Sequence, residues 1–276
     1  MLNRIIFSLL LLLLFSASAH SQNTVYIDED FSTMDSISYF KKCKGITKKC
    51  LQYKTDSLTV NKLSPMYRFG KLKTDEYNQI KTLIQSKSNN TKENKYIVIK
   101  YYDSIFGFEK AEKIHSQHFK YKFPGNVEDV SKAEKIETHP FNLELFKEER
   151  ADWQKRRQKC IEKYENRYPL DFIHMYNAEE NALNTYVDFE WIKDQGAFKN
   201  KFFDVQNNYN LLIIKSDGEY FLSGGHLANS RFEKLLKTDD WTKFKADLEA
   251  SNTKKFTDGK GIFSKYEFYH NSKHCF

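Results

Sequence analysis

The side chains best suited to covalent chemistry are four cysteines, Cys43, Cys50, Cys160 and Cys275. In an oxidising compartment an even count permits two disulfides, in any of three connectivities. Cys43 and Cys50 flank Gly45, which allows a turn, so a local Cys43–Cys50 loop is the first choice. Cys160 with Cys275 would then tie the C-terminal tail to the body. Four thiols left free or buried compete with that second bridge. No Cys-x-x-Cys is present, and Cys160 falls in the middle of a helical pattern on its apolar stripe, where a thiolate is disfavoured.

Other chemistries find less support. His115 with His118, and His270 with His274 and Cys275, have spacings a metal could use, but two or three such residues do not define a site. We assign no metal ligand, catalytic residue or cofactor. His139-Pro140 has no identifiable partner. His226 follows Gly224-Gly225 at a strand-to-helix turn, the kind of position where α/β domains place functional side chains, and it is the one candidate for ligand contact. The acid pairs Glu148-Glu149 and Glu179-Glu180 fit helix N-termini, where negative charge is favourable, better than a glycosidase pair. Gly-x-Ser-x-Gly, His-Glu-x-x-His and a phosphate-binding glycine loop do not occur.

The first 21 residues read as an address. Arg4 precedes an apolar run from Ile5 to Phe15, broken by Ser8, and small residues follow. That is the pattern of a secretory signal peptide, and the run is shorter than the ~20 residues a membrane span needs. Cleavage fits before His20 or, preferred, before Gln22; an uncleaved anchor is the competing reading. The mature chain is expected to be exported to the periplasm or beyond, with no membrane span. Arg4 is the only charge removed, so the net charge of +7 falls to +6. The basic residues include Lys41, Lys42, Lys44, Lys48 and Lys49, and a second group from Arg150 to Lys163. Solvated helix faces explain them best, with a patch for acidic glycans or phospholipid headgroups as the sharper reading. Export and the lack of any nucleic-acid motif argue against nucleic acid.

The elements that must position these residues fall into two regions. A small α+β region spans 22–92 and a larger one 95–250, joined through the polar stretch 85–95; a basic, aromatic tail covers 251–276. In the first region, Thr24–Ile27 and Ser57–Leu63 read as strands. Asp35 or Ser36 caps a helix carrying Ile37, Phe40 and Cys43 on one side, and Thr74 caps another with Tyr77, Ile80, Leu83 and Ile84. The larger region opens with Lys95-Tyr-Ile-Val-Ile-Lys-Tyr-Tyr102, a buried-strand run. Residues 103–146 form a long insertion with short helices of its own, or a flap. A helix over about 144–167 presents Phe146, Trp153, Cys160, Ile161 and Tyr164; a strand Leu170–Tyr176 and a helix over about 179–192 follow. Asp217-Gly218 between two apolar runs signals a hairpin. Phe198, Phe202 and Phe203 are assigned to the core, with an exposed partner groove as the alternative. Closing helices carry Phe232, Leu235 and Leu236, then Trp241, Phe244 and Leu248. The 40 Phe and Tyr residues are enough aromatic surface to close a sizeable core.

The order β-α-β-α-β-β-α, with the run from Leu211 to His226 as hairpin, glycine turn and helix entry, resembles the C-terminal half of thioredoxin-like domains. The chain also resembles exported proteins of Bacteroidetes-type bacteria. The resemblance implies an α/β fold: a thioredoxin-like mixed sheet flanked by helices, with the small N-terminal α+β region and the insertion after the first strand of the domain. Redox members of the family place Cys-x-x-Cys at the start of the first helix and a cis-proline before the third strand. Here the second position reads Asn207-Asn208-Tyr209-Asn210. The resemblance therefore implies the scaffold without thiol–disulfide chemistry, an exported binding or accessory protein for a protein or envelope ligand rather than an enzyme. An atypical thiol oxidoreductase using Cys43 and Cys50, and a periplasmic immunity or inhibitor protein, are the alternatives.

Overall fold

A computed structural model describes residues 23–86, 95–105, 107–117, 120–122, 134–136, 141–177, 191–204, 208–253, 258–270 and 275. The expected signal segment, His118, His139, His274 and most of the expected helix 179–192 lie outside these residues.

Strands β1 (Asn23–Ile27), β2 (Lys48–Lys54) and β3 (Leu58–Pro65) form a small sheet in the order β1-β3-β2, with helix α1 (Ser36–Cys43) against it. Asp35 caps α1 by accepting the Ser38 N–H at 2.8 Å. Ile37 and Phe40 are exposed and Tyr39 is buried, so α1 turns a different face inward from the one its apolar spacing suggested.

The main sheet has six strands in the order β4-β11-β10-β5-β8-β9. They are β4 (Tyr67–Lys71), β5 (Tyr96–Tyr102), β8 (Leu170–Asn177), β9 (Trp191–Asp194), β10 (Leu211–Lys215) and β11 (Glu219–Ser223). β5, β8 and β9 run parallel to one another; β10 pairs antiparallel with β5, and β11 and β4 continue the sheet antiparallel. Helix α2 (Thr74–Gln85) follows β4. Between β5 and β8 run α3 (Phe108–Gln117), a hairpin of β6 (Lys120–Lys122) and β7 (Glu134–Ile136), and α4 (Leu143–Glu165). Helix α5 (Ala197–Lys201) follows β9, and α6 (Asn229–Lys237), α7 (Thr242–Asn252), a 3-10 turn (Gly261–Phe263) and α8 (Lys265–His270) close the chain.

Both faces of the main sheet are covered, which is why its central strands read as continuous apolar runs. The strand period of two sends Tyr96, Val98, Leu211, Ile213 and Phe221 to one face, against Ile161 and Tyr164 of α4 and the aromatic residues of the C-terminal helices. It sends Ile97, Ile99, Leu212 and Ile214 to the other, against Tyr77, Ile80 and Ile84 of α2 and Phe198, Phe202 and Phe203.

Several expectations are corrected. The boundary near residue 92 is crossed, because β4 pairs with β11 from Tyr67↔Ser223 to Lys71↔Glu219 and α2 packs on the main sheet. Trp191 is not the end of a helix: Trp191–Asp194 is a strand beside β8. Thr74 does not cap α2; Lys73 sits at that position and its N–H is accepted by Glu76 at 2.9 Å. The tail is not peripheral, since Phe263 is fully buried against Tyr67, Phe69 and Phe221. The insertion, by contrast, carries a short helix of its own as expected, α3, and adds the β6–β7 hairpin.

The four cysteines pair as Cys43–Cys50, with Cα atoms 5.7 Å apart, and Cys160–Cys275, 5.5 Å apart. The second joins the last third of α4 to the C-terminal Cys275. Among the described residues no helix is long and apolar enough to cross a membrane.

Candidate functional site

A cleft of about 480 Å³ opens at the C-terminal edge of β5. Its floor is Lys100 with Tyr101 and Tyr102, and one wall is the segment Asn208–Asn210 leading into β10. β2 of the small sheet closes the other side with Tyr53, and Asp103 and Asp204 sit at the rim. Parallel strands present their C-terminal ends together, and such edges are where open α/β sheets bind ligands.

Backbone pairing holds the floor and the wall in register. The Asn210 N–H donates to the Ser223 carbonyl at 3.0 Å, and its own carbonyl accepts the Tyr101 N–H at 2.9 Å. This pins Asn210 between β5 and β11 and aims its side chain at Lys100, whose ammonium donates to Asn210 Oδ1 at 3.1 Å. The turn after β11 must be glycine here: a Cβ on Gly224 would stand 2.8 Å from the Asn208 carbonyl. Tyr101 is fixed from the opposite face. Phe203 stacks on it at 4.4 Å, and its hydroxyl donates to Asp194 at 3.2 Å. Asp194 also accepts the N–H groups of Gly196, Phe198 and Lys199, so one buried carboxylate organises the start of α5 and the cleft wall together.

Beneath Lys100 lies a buried basic and aromatic layer. His174 is the register partner of Lys100 on β8; Tyr102, Trp191 and Phe172 pack around it, and Trp153 packs on Tyr102. Arg157 of α4 stacks on Trp153, lies close enough to Tyr102 to interact with it electrostatically, and donates to the Cys275 carbonyl. Burial pushes the Lys100 ammonium down to about 7, and the charges of Arg157 and Lys49 push the same way. Burial, with Arg157 and Lys100, holds His174 near 3, so its imidazole is neutral at ordinary pH. Burial lowers Arg157 and Lys49 as well, and raises Tyr209. This arrangement can bind and orient an anion.

The sequence-level candidates fall elsewhere. His226 is exposed on the turn after β11 and does not line the cleft. His115 stacks on Phe141. Among the described residues no group of three or more His, Cys, Asp or Glu could hold a metal. No cysteine is among the residues that line the cleft. The residue that reasoning from sequence missed is Lys100. Its signal was present: a lysine inside an uninterrupted apolar strand run must be buried on one face.

No family model matches this chain, and neither a curated protein nor a solved structure matches it.

Proposed function

We propose that this chain is an exported binding or accessory protein built on a thioredoxin-like domain without thiol chemistry. The position of the cleft carries the reading. It lies at the end of the first strand of the parallel pair and beside the segment before β10, the two places where the family resemblance would put the redox cysteines and the cis-proline. Lysine, asparagine and tyrosine stand there instead. A parallel β-α-β unit running into an antiparallel hairpin, with helices on both faces, supports the scaffold. Two disulfides support passage through an oxidising compartment.

The alternative oxidoreductase reading draws on the exposure of Cys50 and the lysines around the Cys43–Cys50 bridge. Against it, Cys43 is the last residue of α1, where the carbonyl end of a helix disfavours a thiolate. Insulin reduction decides. The binding reading expects no turnover; turnover that disappears in Cys43→Ser or Cys50→Ser would replace it with the redox reading.

A further inference from the structure

We propose that the cleft binds a small organic anion, a carboxylate or phosphate head on an aromatic body, and that the Lys100 ammonium pairs with the head. The proposal rests on the reading of the cleft as this chain's binding site and names the class of ligand.

The argument comes from charge compensation. Burying an ammonium is costly unless a counter-charge accompanies it. Three lysines are buried among the described residues: Lys62, Lys100 and Lys215. Lys215 is paired with Glu219 at 2.7 Å and Asp217 at 3.6 Å. Lys62 lies over the Phe31 ring at 3.8 Å and feels the charge of Asp204. Lys100 has neither kind of compensation. Its hydrogen bond goes to a neutral amide, which uses one of its three donors. The charges that act on it, Arg157 and Lys49, have its own sign. The carboxylates at the rim are engaged elsewhere: Asp103 pairs with Lys199 at 3.6 Å, and Asp204 acts on Lys62, Tyr53 and Tyr209.

Lys49 extends the same field. Its side chain runs beside the Gly224–Gly225 turn, with Cε 3.6 Å from where a Cβ on Gly225 would be. No carboxylate lies within ion-pair distance of Lys49 among the described residues. An anionic head entering the cleft therefore meets the Lys100 ammonium in its lining, within the like-signed field of Lys49 and Arg157. Tyr53, Tyr102, Phe203 and Tyr209 line the space beyond them, which suits a flat aromatic body, and the volume is that of a small-molecule site.

The test is calorimetric titration of the full mature chain with phenyl phosphate and with phenylacetate, inorganic phosphate and acetate serving as heads without a body. At least one aromatic anion is expected to bind saturably at about pH 6.5, more tightly than its bare head. Which of the two binds identifies the head chemistry. Binding should weaken by about tenfold or more at about pH 9, as Lys100 loses its proton. Over that range His174 stays neutral and Arg157 stays charged, and the probes do not lose charge. Lys49 can only lose charge, which acts in the same direction.

Lys100→Met should weaken binding by at least about tenfold. Asn210→Asp places a carboxylate where Oδ1 now receives the ammonium, and should weaken binding similarly with the lysine retained. If Lys100→Met does not fold, Asn210→Asp and the pH comparison decide. Absence of saturable binding by either aromatic probe up to about 10 mM overturns the proposal, as does affinity unchanged in Asn210→Asp or at the higher pH. That result without insulin turnover removes only the ligand class; insulin turnover removes the binding reading itself.

Discussion

Lys100→Met offers a direct test of the electrostatics at the cleft floor, because methionine keeps the bulk of the stem and removes the ammonium. In the folded protein the Lys100 pKa lies near 7, against an ordinary value of 10.5. The unfolded chain therefore binds more protons than the folded one between those values, and stability rises with pH across that window. Below pH 7 the full penalty of folding with a charged Lys100 is present; above 10.5 it is gone. The shift corresponds to a ceiling of about 5 kcal/mol at ~1.4 kcal/mol per unit. Integrated from about pH 6 to about pH 9, it gives roughly 3 kcal/mol. The variant leaves Asn210 Oδ1 without its donor, which costs about 1 kcal/mol and does not depend on pH.

Lys100→Met should thus be more stable than the parent at about pH 6 by a few kcal/mol, and this advantage should shrink by roughly 3 kcal/mol at about pH 9. Urea unfolding of both proteins at both pH values, disulfides intact, measures the double difference. Groups titrating equally in the two proteins cancel. A double difference below about 0.5 kcal/mol would refute the reasoning, because it would mean that Lys100 reaches water in the folded state.

Two further predictions concern the frame around the cleft. Asp194→Ala removes a buried acceptor of three backbone N–H groups and the Tyr101 hydroxyl; chemical denaturation should show a loss of at least about 2 kcal/mol, with Asp194→Asn losing less. Cys275→Ser opens a bridge between residues 115 apart in sequence, and the midpoint of thermal unfolding should fall by an amount equivalent to about 2–5 kcal/mol, whereas Cys50→Ser, opening a separation of 7, should cost less.

Local rules made much of the architecture readable. The buried run 95–102, the Asp217-Gly218 hairpin and the long α4 each announce themselves through patterns a few residues wide, and the structure has them at Tyr96–Tyr102, Gly218 with φ of +83°, and Leu143–Glu165. The same holds for Phe198, Phe202 and Phe203, which are buried in the core. β2, β4 and β9 were not legible. Lys48–Lys54 is mostly polar, and Tyr67–Lys71 and Trp191–Asp194 are short, so each is a strand because of the neighbour it pairs with.

Residue types alone determined that the cysteines were the reactive candidates, that no familiar catalytic motif was present, and that β5 carried a lysine through an apolar run. Tertiary structure decided what that lysine means. Only the packing of β2, the 208–210 segment and α4 around the end of β5 places Asn210, Lys49 and Arg157 beside Lys100, residues that are 51 to 110 positions away in the chain. Only the same packing leaves the ammonium without a carboxylate among the described residues. Charge compensation depends on distance in space, and no sequence pattern records which of 37 acids will come within reach of a given lysine.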